Sequence, residues 1–347
     1  MTRREWLSAA GTALTWSAQG MAQDRTLRNM GGAPAGFPVR SRAARGGAQP
    51  FDFVEFCHDL GFGVVETRVD LTNAGAVQNL RRKLDNYHMR CILDVPLPRN
   101  EDGVPAFDAA LKVARELGVR SLHTAMTQRR YEEFDNLNAF KQSFERNQAT
   151  IARAEPILRK HQIRLGMENH KGWRSAEQAA WLKRVGSPWV GVHFDFGNNV
   201  SLCEDPAETL KNLLPFIVSC HIKDMAVEPY EDGFLLSEVP LGDGFLDIKG
   251  MVAAIQKKDP DTPFDLEMIT RDPLKIPVFT DKYWATFDDQ YSPLPGRDLA
   301  HILEIVHKNK PKTPLPYTTG MSVPAQLALE DENVRKSIEY ARKNLAL

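Results

Sequence analysis

Residues 163–170 read IRLGMENH, a short, mostly apolar run that ends in Glu168, Asn169 and His170. An apolar run of this length, without strict alternation, is typical of a strand that is buried on both faces. In parallel α/β sheets, ligand sites lie at the carboxyl ends of such strands. The stretch therefore predicts a buried strand that delivers a carboxylate and an imidazole to a functional site.

The same pattern recurs three times further along the chain. The runs VGVHFD, IVSCH and FDLE end at Asp195, His221 and Glu267 respectively. The intervals from Glu168 to Asp195 and from Asp195 to His221 each fit one strand-plus-helix unit. The interval from His221 to Glu267 fits one unit with an insertion. Taken singly, an acid at a strand end is often a helix cap or a turn residue, and a histidine is often part of the core. Four such residues on successive strands favour a common site.

Three carboxylates and one imidazole suit a hard or borderline divalent cation. Oxygen and imidazole ligands are those of Mn²⁺, Mg²⁺, Co²⁺ or Zn²⁺, and not those of a copper or iron–sulfur centre. We therefore expect one divalent metal ion, bound by Glu168, Asp195, His221 and Glu267.

Strand-like and helix-like segments alternate about eight times along the chain, with mostly short turns between them. This count favours an α/β fold of the (β/α)8 TIM-barrel type over an open doubly wound sheet. No GxGxxG or GxxxxGK[ST] loop is present, which argues against a nucleotide site. We assign residues 23–310 to the barrel and residues 311–347 to a C-terminal helical extension, which either closes the barrel bottom or meets a partner subunit in a homo-oligomer.

Two connections are longer than ordinary strand-to-helix loops. Residues 225–246 follow His221, and the aromatic-rich residues 270–297 follow Glu267. Long loops in compact domains are usually functional or disordered, and aromatic content argues against disorder. We expect both loops to form a partial cover over the site.

The first residues have the features of an export signal. Arg3 and Arg4 form a twin-arginine start, a weakly apolar stretch covers residues 8–21, and small residues then form a cleavage pattern. This is typical of a Tat-type signal peptide, residues 1–22, and predicts a periplasmic or exported protein. An amphipathic first helix is the alternative.

Composition and charge limit the classes of binding partner that we expect for this protein. The formal net charge of -1 gives no basic excess, so we expect no nucleic-acid partner. No run outside the signal approaches the length of a membrane span, so we expect no membrane segment in the mature form. The four cysteines form no CxxC pair, which argues against a disulfide framework or a zinc–thiolate site.

The strand-end motifs resemble those of the xylose-isomerase-like TIM-barrel superfamily, which includes sugar isomerases and epimerases, inosose dehydratase and endonuclease IV. The matching pieces are ENH after the fifth strand, DxGN after the sixth, HxKD on the seventh and an acid on the last. They begin at Glu168, Asp195, His221 and Glu267. The resemblance covers roughly residues 50–310.

The resemblance implies that Glu168 and Glu267 bind the metal and also move protons. A substrate carbonyl and hydroxyl would chelate the ion, and an enediolate would form between them. His170 and Lys223 would orient hydroxyl groups, although Lys223 could instead form an ion pair with Asp224. Further candidates for the substrate pocket are Asn198, His123 and Glu66.

Departures from the pattern limit what the resemblance implies. Epimerases of this type often have a histidine where this chain has Asn198. The later loop reads Asp243-Gly244-Phe245 and the third strand ends in Asp94, so the additional histidines that endonuclease IV uses for three zinc ions are absent. Together with the lack of basic surface charge, this disfavours a nuclease.

Three functions remain open at this point. The first is a metal-dependent sugar isomerase or epimerase that acts on a small carbohydrate. The second is a lyase or hydrolase of 3-keto-glycosides, in which the same enediolate expels a leaving group. The third is a barrel that binds carbohydrate without catalysis. The sequence shows neither a phosphate-type glycine-rich loop nor an arginine cluster, which disfavours a phosphorylated substrate.

Overall fold

The computed structural model describes residues 26–45, 51–311 and 314–347. The twin-arginine segment, residues 1–22, lies outside these residues, so the signal peptide and the exported location stay predictions. None of the described helices is both long enough and apolar enough to cross a membrane.

Eight parallel strands close into a barrel, as the alternation of segments predicts. Their runs of apolar residues are covered by the barrel interior on one side and by helices on the other. The barrel strands are β1 (Leu27–Gly32), β2 (Phe62–Thr67), β3 (Arg90–Asp94), β4 (Ser121–Thr124), β5 (Arg164–Glu168), β6 (Val190–Asp195), β7 (Ile217–Ile222) and β10 (Phe264–Leu266). Outside the barrel lie β8 (Asp224–Tyr230), β9 (Gly233–Val239) and β11 (Leu274–Ile276). Around the ring the order is β1-β10-β7-β6-β5-β4-β3-β2.

Helices follow the barrel strands, and several begin at a residue whose side chain accepts a hydrogen bond from the first turn. Asn73, Asn136 and Asp205 are caps of this kind. In chain order the helices are α1 (Pro38–Arg45), α2 (Phe53–Asp59), α3 (Ala74–Tyr87), α4 (Val104–Glu116), α5 (Arg130–Glu133), α6 (Leu137–His161), α7 (Ser175–Val185), α8 (Pro206–Leu213), α9 (Ile248–Lys258), α10 (Asp281–Trp284), α11 (Gly296–Lys308) and α12 (Val323–Asn344).

The parallel register brings the strand-end residues to one end of the barrel. Asp195 on β6 is level with His221 on β7, and Glu168 on β5 is level with His193 on β6. Since all barrel strands run in the same direction, their carboxyl ends form a single face. The site predicted from four separate segments is therefore one place in the fold.

Residues 225–246, which we expected to cover part of the site, contain regular structure, and their role as a cover stays a prediction. They contain most of the antiparallel hairpin β8–β9, and β11 adds a third strand to the same sheet. The chain reverses at Glu231-Asp232, and Gly233, the first residue of β9, has a φ of 153°, outside the range that other residues adopt readily. Asp224, the first residue of β8, joins the start of the hairpin to the chain that follows it. Its carboxylate accepts four backbone hydrogen bonds, from Met225, Gly242, Gly244 and Leu246.

The segment 270–297 is held to the barrel by a buried arginine. Arg130 is fully buried, and its guanidinium donates to Thr286 Oγ1 at 2.8 Å and to Ser292 Oγ at 2.7 Å. It also forms an ion pair with Glu177 at 3.2 Å. The guanidinium carbon lies 3.6 and 4.2 Å from the ring centroids of Phe140 and Phe287. Arg130 on α5 is thus one of the side chains that tie the aromatic-rich segment to the barrel, together with Tyr283, whose hydroxyl donates to the carbonyl oxygen of Ser201 at 2.9 Å.

The C-terminal residues pack along the barrel. On α12, Glu330 accepts hydrogen bonds from the backbone N–H groups of Val39 and Arg40 at 2.8 and 2.9 Å. Asn333 donates to Thr270 Oγ1 at 3.1 Å, just beyond β10. The extension predicted for residues 311–347 therefore contributes a helix to the layer around the barrel, whereas a role in a homo-oligomer stays a prediction.

Replacing Arg130 with methionine should lower the free energy of unfolding by about 3–5 kcal/mol, because the Glu177 carboxylate loses its buried partner. Urea denaturation measures this loss. The matched control is Arg129→Met, which removes an ion pair to Glu132 at the surface, 2.7 Å long, and should cost less than about 1 kcal/mol. Equal losses in the two variants would show that Arg130 does not anchor residues 270–297.

Candidate metal centre and active site

Four strand-end side chains meet at the carboxyl end of the barrel. Glu168, Asp195, His221 and Glu267 come from β5, β6, β7 and the residue after β10, and all four are buried. Potential ligand atoms of Glu168, Asp195 and His221 lie within 4.8 Å of one another. Glu267 is adjacent, with Oε1 3.6 Å from His221 Nδ1. The structure thus brings together all four residues that the sequence singled out.

Lys223 lies among these acids and does not pair with Asp224. Its ammonium group donates to Asp195 Oδ2 at 2.8 Å and to Glu267 Oε2 at 2.5 Å. Sequence neighbours in extended backbone point in opposite directions, so Asp224 turns away toward the hairpin backbone. Burial lowers the pKa of Lys223, but Asp195 and Glu267 outweigh this and raise it overall. Lys223 is therefore a buried cation shared by two carboxylates.

Lys223 engages one oxygen of each acid and leaves other donor atoms available. Among the described residues, Asp195 Oδ1 and His221 Nδ1 are buried without a hydrogen-bond partner. Buried polar atoms are nearly always satisfied, so orphaned atoms at one place call for a ligand. Carboxylate oxygens and an imidazole nitrogen are suitable donors for a divalent cation. On these grounds the residues present fit such an ion.

Glu66 contacts two imidazoles of the site, those of His221 and His123. Its Oε2 is 2.9 Å from His221 Nε2, and its Oε1 is 3.2 Å from His123 Nδ1. Burial raises the pKa of Glu66, but the neighbouring imidazoles outweigh it and hold the pKa well below the usual range. An ionised Glu66 binds the Nε2–H of His221, which leaves Nδ1 facing the acids. Glu66, a candidate for the substrate pocket, is thus placed between two imidazoles.

His123 joins Glu66 to Glu168. Its Nε2 lies 3.2 Å from Glu168 Oε2. Burial alone would lower the pKa of His123, but the Glu66 carboxylate and then Glu168 raise it to about 10. For Glu168, burial raises the pKa, and the nearby charges of His170 and His123 lower it overall. Glu168 is therefore an ionised carboxylate at neutral pH.

Asn198 orients two of the acids. Its Nδ2 donates to Glu168 Oε1 at 3.1 Å and to Asp195 Oδ2 at 2.5 Å, while its Oδ1 accepts a hydrogen bond from Lys171. His170, the other nearby candidate, is half-buried with Nδ1 2.7 Å from the carbonyl oxygen of Thr127. The structure thus places Asn198 against the acids themselves, and it fixes the ring of His170 close to Glu168.

Three buried polar residues at this site escaped the sequence reasoning. His193 is fully buried, with its ring centroid 4.1 Å from that of His221 and 4.3 Å from that of His123. Burial, and then the two neighbouring imidazoles, lower the pKa of His193 well below its usual value. The others are Asp265, fully buried two positions before Glu267, and Lys171. The period of two along a strand would have found His193 and Asp265, because they share a face with Asp195 and Glu267.

The chain is similar over part of its length to two curated proteins. It is 28% identical over 151 residues to a 3-oxo-isoapionate decarboxylase of Pectobacterium atrosepticum, covering 43% of this chain and 52% of that protein. It is 27% identical over 166 residues to an Escherichia coli protein named as an L-ribulose-5-phosphate 3-epimerase, covering 46% and 56%. The chain therefore spans about half the length of the curated relatives it matches.

Solved structures and a family model extend the comparison to most of the chain. A crystal structure of D-psicose 3-epimerase, determined in the presence of D-fructose, covers 85% of this chain and 93% of its own with a TM-score of 0.54. At 15% identity this likeness shows the fold alone. The family model described as "Xylose isomerase-like TIM barrel" matches residues 54–285, well over half of the sequence. The chain belongs to the xylose isomerase-like TIM barrel family.

Proposed function

We propose that this protein is a divalent-metal-dependent sugar isomerase or epimerase that works through an enediolate. The observation that carries the proposal is the buried set Glu168, Asp195 and His221, with ligand atoms within 4.8 Å of one another and Glu267 beside them. The name of the Escherichia coli relative, an epimerase of a ketose phosphate, supports the same class of reaction.

The metal would be held by Glu168, Asp195, His221 and Glu267. When bound, a divalent cation would supply the positive charge that acidifies a C–H bond beside a carbonyl group. The remaining chemistry belongs to the side chains of the chain itself.

The two glutamates would move the proton. One glutamate takes a proton from the carbon beside the carbonyl, and the electron pair of that C–H bond forms the enediolate. The other returns a proton to the opposite face of the same carbon for epimerisation. In isomerisation the proton goes to the neighbouring carbon, and the proton of the substrate hydroxyl moves to the former carbonyl oxygen. Glu168 and Glu267 are separated around the ring by β6 and β7, so they approach a central substrate from different sides.

Lys223 and His170 would assist this transfer. The Lys223 ammonium already donates to Glu267 and would stabilise negative charge on a substrate oxygen nearby. The ring of His170, fixed by Thr127, would orient a substrate hydroxyl beside Glu168. Neither residue needs to change its protonation state for this role.

A lyase is the second candidate, because the Pectobacterium relative is named as a decarboxylase of a 3-oxo compound. In a lyase of 3-keto-glycosides the same proton removal would be followed by expulsion of the group on the next carbon. The proposed substrate in either case is a small carbohydrate. The twin-arginine sequence supports a periplasmic location for the reaction.

Glu168→Gln and Glu267→Gln should each lower catalysis by about a thousandfold, since a glutamine cannot take up the proton. NMR in D₂O measures deuterium incorporation at the carbon beside the carbonyl of a ketose, and it also detects release of a leaving group. Glu116→Gln, on the exposed face of α4, is the matched control and should retain full activity. Full activity of Glu168→Gln would refute its role.

Asp195→Asn should weaken divalent-cation binding by about a hundredfold, because a charged ligand becomes a neutral one. Titration calorimetry with Mn²⁺, Co²⁺ or Zn²⁺ measures the affinity. Asp205→Asn is the control, since asparagine also caps a helix and Asp205 lies at the start of α8. Removal of the metal with a chelator should abolish deuterium exchange, and its return should restore it. A native protein that binds no divalent cation would contradict the proposal.

Glu66→Gln should reduce metal affinity by about 10- to 100-fold while the fold is retained. The reason is that the glutamine amide cannot hold both imidazoles as the carboxylate does, so His221 Nδ1 is no longer fixed toward the acids. The same calorimetric titration and a far-UV spectrum test this. Unchanged affinity would mean that the contact between Glu66 and His221 does not orient the ligand.

A further inference from the structure

A large cavity opens next to the candidate metal centre, at the carboxyl ends of β3 and β4 and against one face of α6. Its volume is about 760 Å³, within the range of ligand sites in proteins. Four arginines line it, and among the described lining residues only one acid, Asp94, opposes them. The arginines are Arg68, Arg99, Arg146 and Arg153.

Two of these guanidinium groups have partners on the protein. Arg68 forms an ion pair with Asp94, and Arg153 forms one with Glu101 at 2.7 Å. Both pairs involve an exposed partner, so they are weak and readily exchanged for contacts with a ligand.

The other two arginines are not neutralised by the described chain. No carboxylate in residues 26–45, 51–311 or 314–347 forms an ion pair with the side chain of Arg99 or Arg146. Arg146, Thr150 and Arg153 follow one another at helical spacing and all line the cavity, so α6 contributes two of the four arginines from one face. The cavity therefore has an excess of positive charge.

His123 connects this cavity to the acids. The residue lines the cavity, and its Nε2 lies 3.2 Å from Glu168 Oε2. A ligand anchored by the arginines would thus have its other end close to the glutamate that we assign to proton transfer.

We propose that the arginine-lined cavity binds an anionic group of the substrate, a phosphate or a carboxylate carried by the sugar. This inference rests on the proposed function, and it assigns the substrate to the class of sugar phosphates or sugar acids. Arginine guanidinium groups bind both kinds of anion through paired hydrogen bonds. Anchoring the anionic end would hold the reacting carbon beside Glu168.

This proposal changes an expectation drawn from the sequence. The sequence shows no arginine cluster because the four residues are scattered between positions 68 and 153 and belong to three separate segments. The fold brings them together at one cavity. A phosphorylated or carboxylated sugar is therefore favoured over a neutral glycoside.

The test compares three ketoses with the metal-loaded enzyme: D-fructose, D-fructose 6-phosphate and 5-keto-D-gluconate. Deuterium exchange beside the carbonyl gives kcat/KM for each. We expect at least one anionic ketose to exceed the neutral one by about tenfold or more. The double variant Arg99→Ala/Arg146→Ala should lower kcat/KM for that anionic ketose by about a hundredfold, mainly through KM, and leave D-fructose unchanged.

Arg184→Ala is the matched control, because Arg184 is an exposed arginine near the end of α7 and away from the cavity. It should leave all three values unchanged. The preferred anionic ketose distinguishes a phosphate site from a carboxylate site. Equal kcat/KM for neutral and anionic ketoses, unaffected by the double variant, would overturn the inference while the proposed function stands.

Titration of the protein with inorganic phosphate and with acetate gives a readout that does not depend on catalysis. Binding of either anion that is lost in the double variant and kept in Arg184→Ala supports the site, even if no ketose exchanges and the proposed function fails. Binding that is equal in all variants, or absent from the native protein, counts against it.

Discussion

The charges buried at the carboxyl end of the barrel have to balance one another, and the Lys223 ammonium group is central to that balance. An ion taken out of water costs several kcal/mol unless it is paired and hydrogen-bonded. Lys223 offsets this cost for Asp195 and Glu267 through one oxygen of each. The second oxygen of Asp195 and the Nδ1 atom of His221 stay buried without partners. The ion pair therefore offsets the free-energy cost of burying the two carboxylates. It still leaves donor atoms for a divalent cation.

The parallel register of the barrel explains why these groups meet. Asp195 and His221 are paired across β6 and β7, and Glu168 lies on the next strand of the ring. Each of these three candidate ligands therefore lies on a strand whose backbone is fixed on both sides by hydrogen bonds. Glu66 adds a second constraint from β2, because its contact with His221 fixes which imidazole nitrogen faces the acids. The precision of the site is thus a property of the sheet.

The barrel and the meeting of its four strand-end residues could be predicted from the sequence, because both depend on patterns that are local. A buried strand ending in a polar residue is visible in six or so letters, as at Asp195. The contact between Glu66 and His221 spans 155 positions and has no local pattern. The four cavity arginines are hidden for the same reason. For Lys223 the sequence left an ion pair with Asp224 open as an alternative, and only the structure excludes it, because neighbours in extended backbone point in opposite directions.

The barrel interior beside the candidate ligands contains two further buried polar residues. His193 and Asp265 occupy positions that bulky apolar residues fill in most barrels, and both are fully buried. Burial keeps the His193 imidazole neutral, and burial with the nearby Glu66 carboxylate raises the pKa of Asp265 well above its usual value. Two polar groups whose pKa shifts favour the neutral form therefore lie beside Glu66 and His221. Burying these polar groups costs stability, and the ring of His193, packed against those of His221 and His123, restricts the orientation of the imidazoles on which the donor atoms of the candidate metal centre depend.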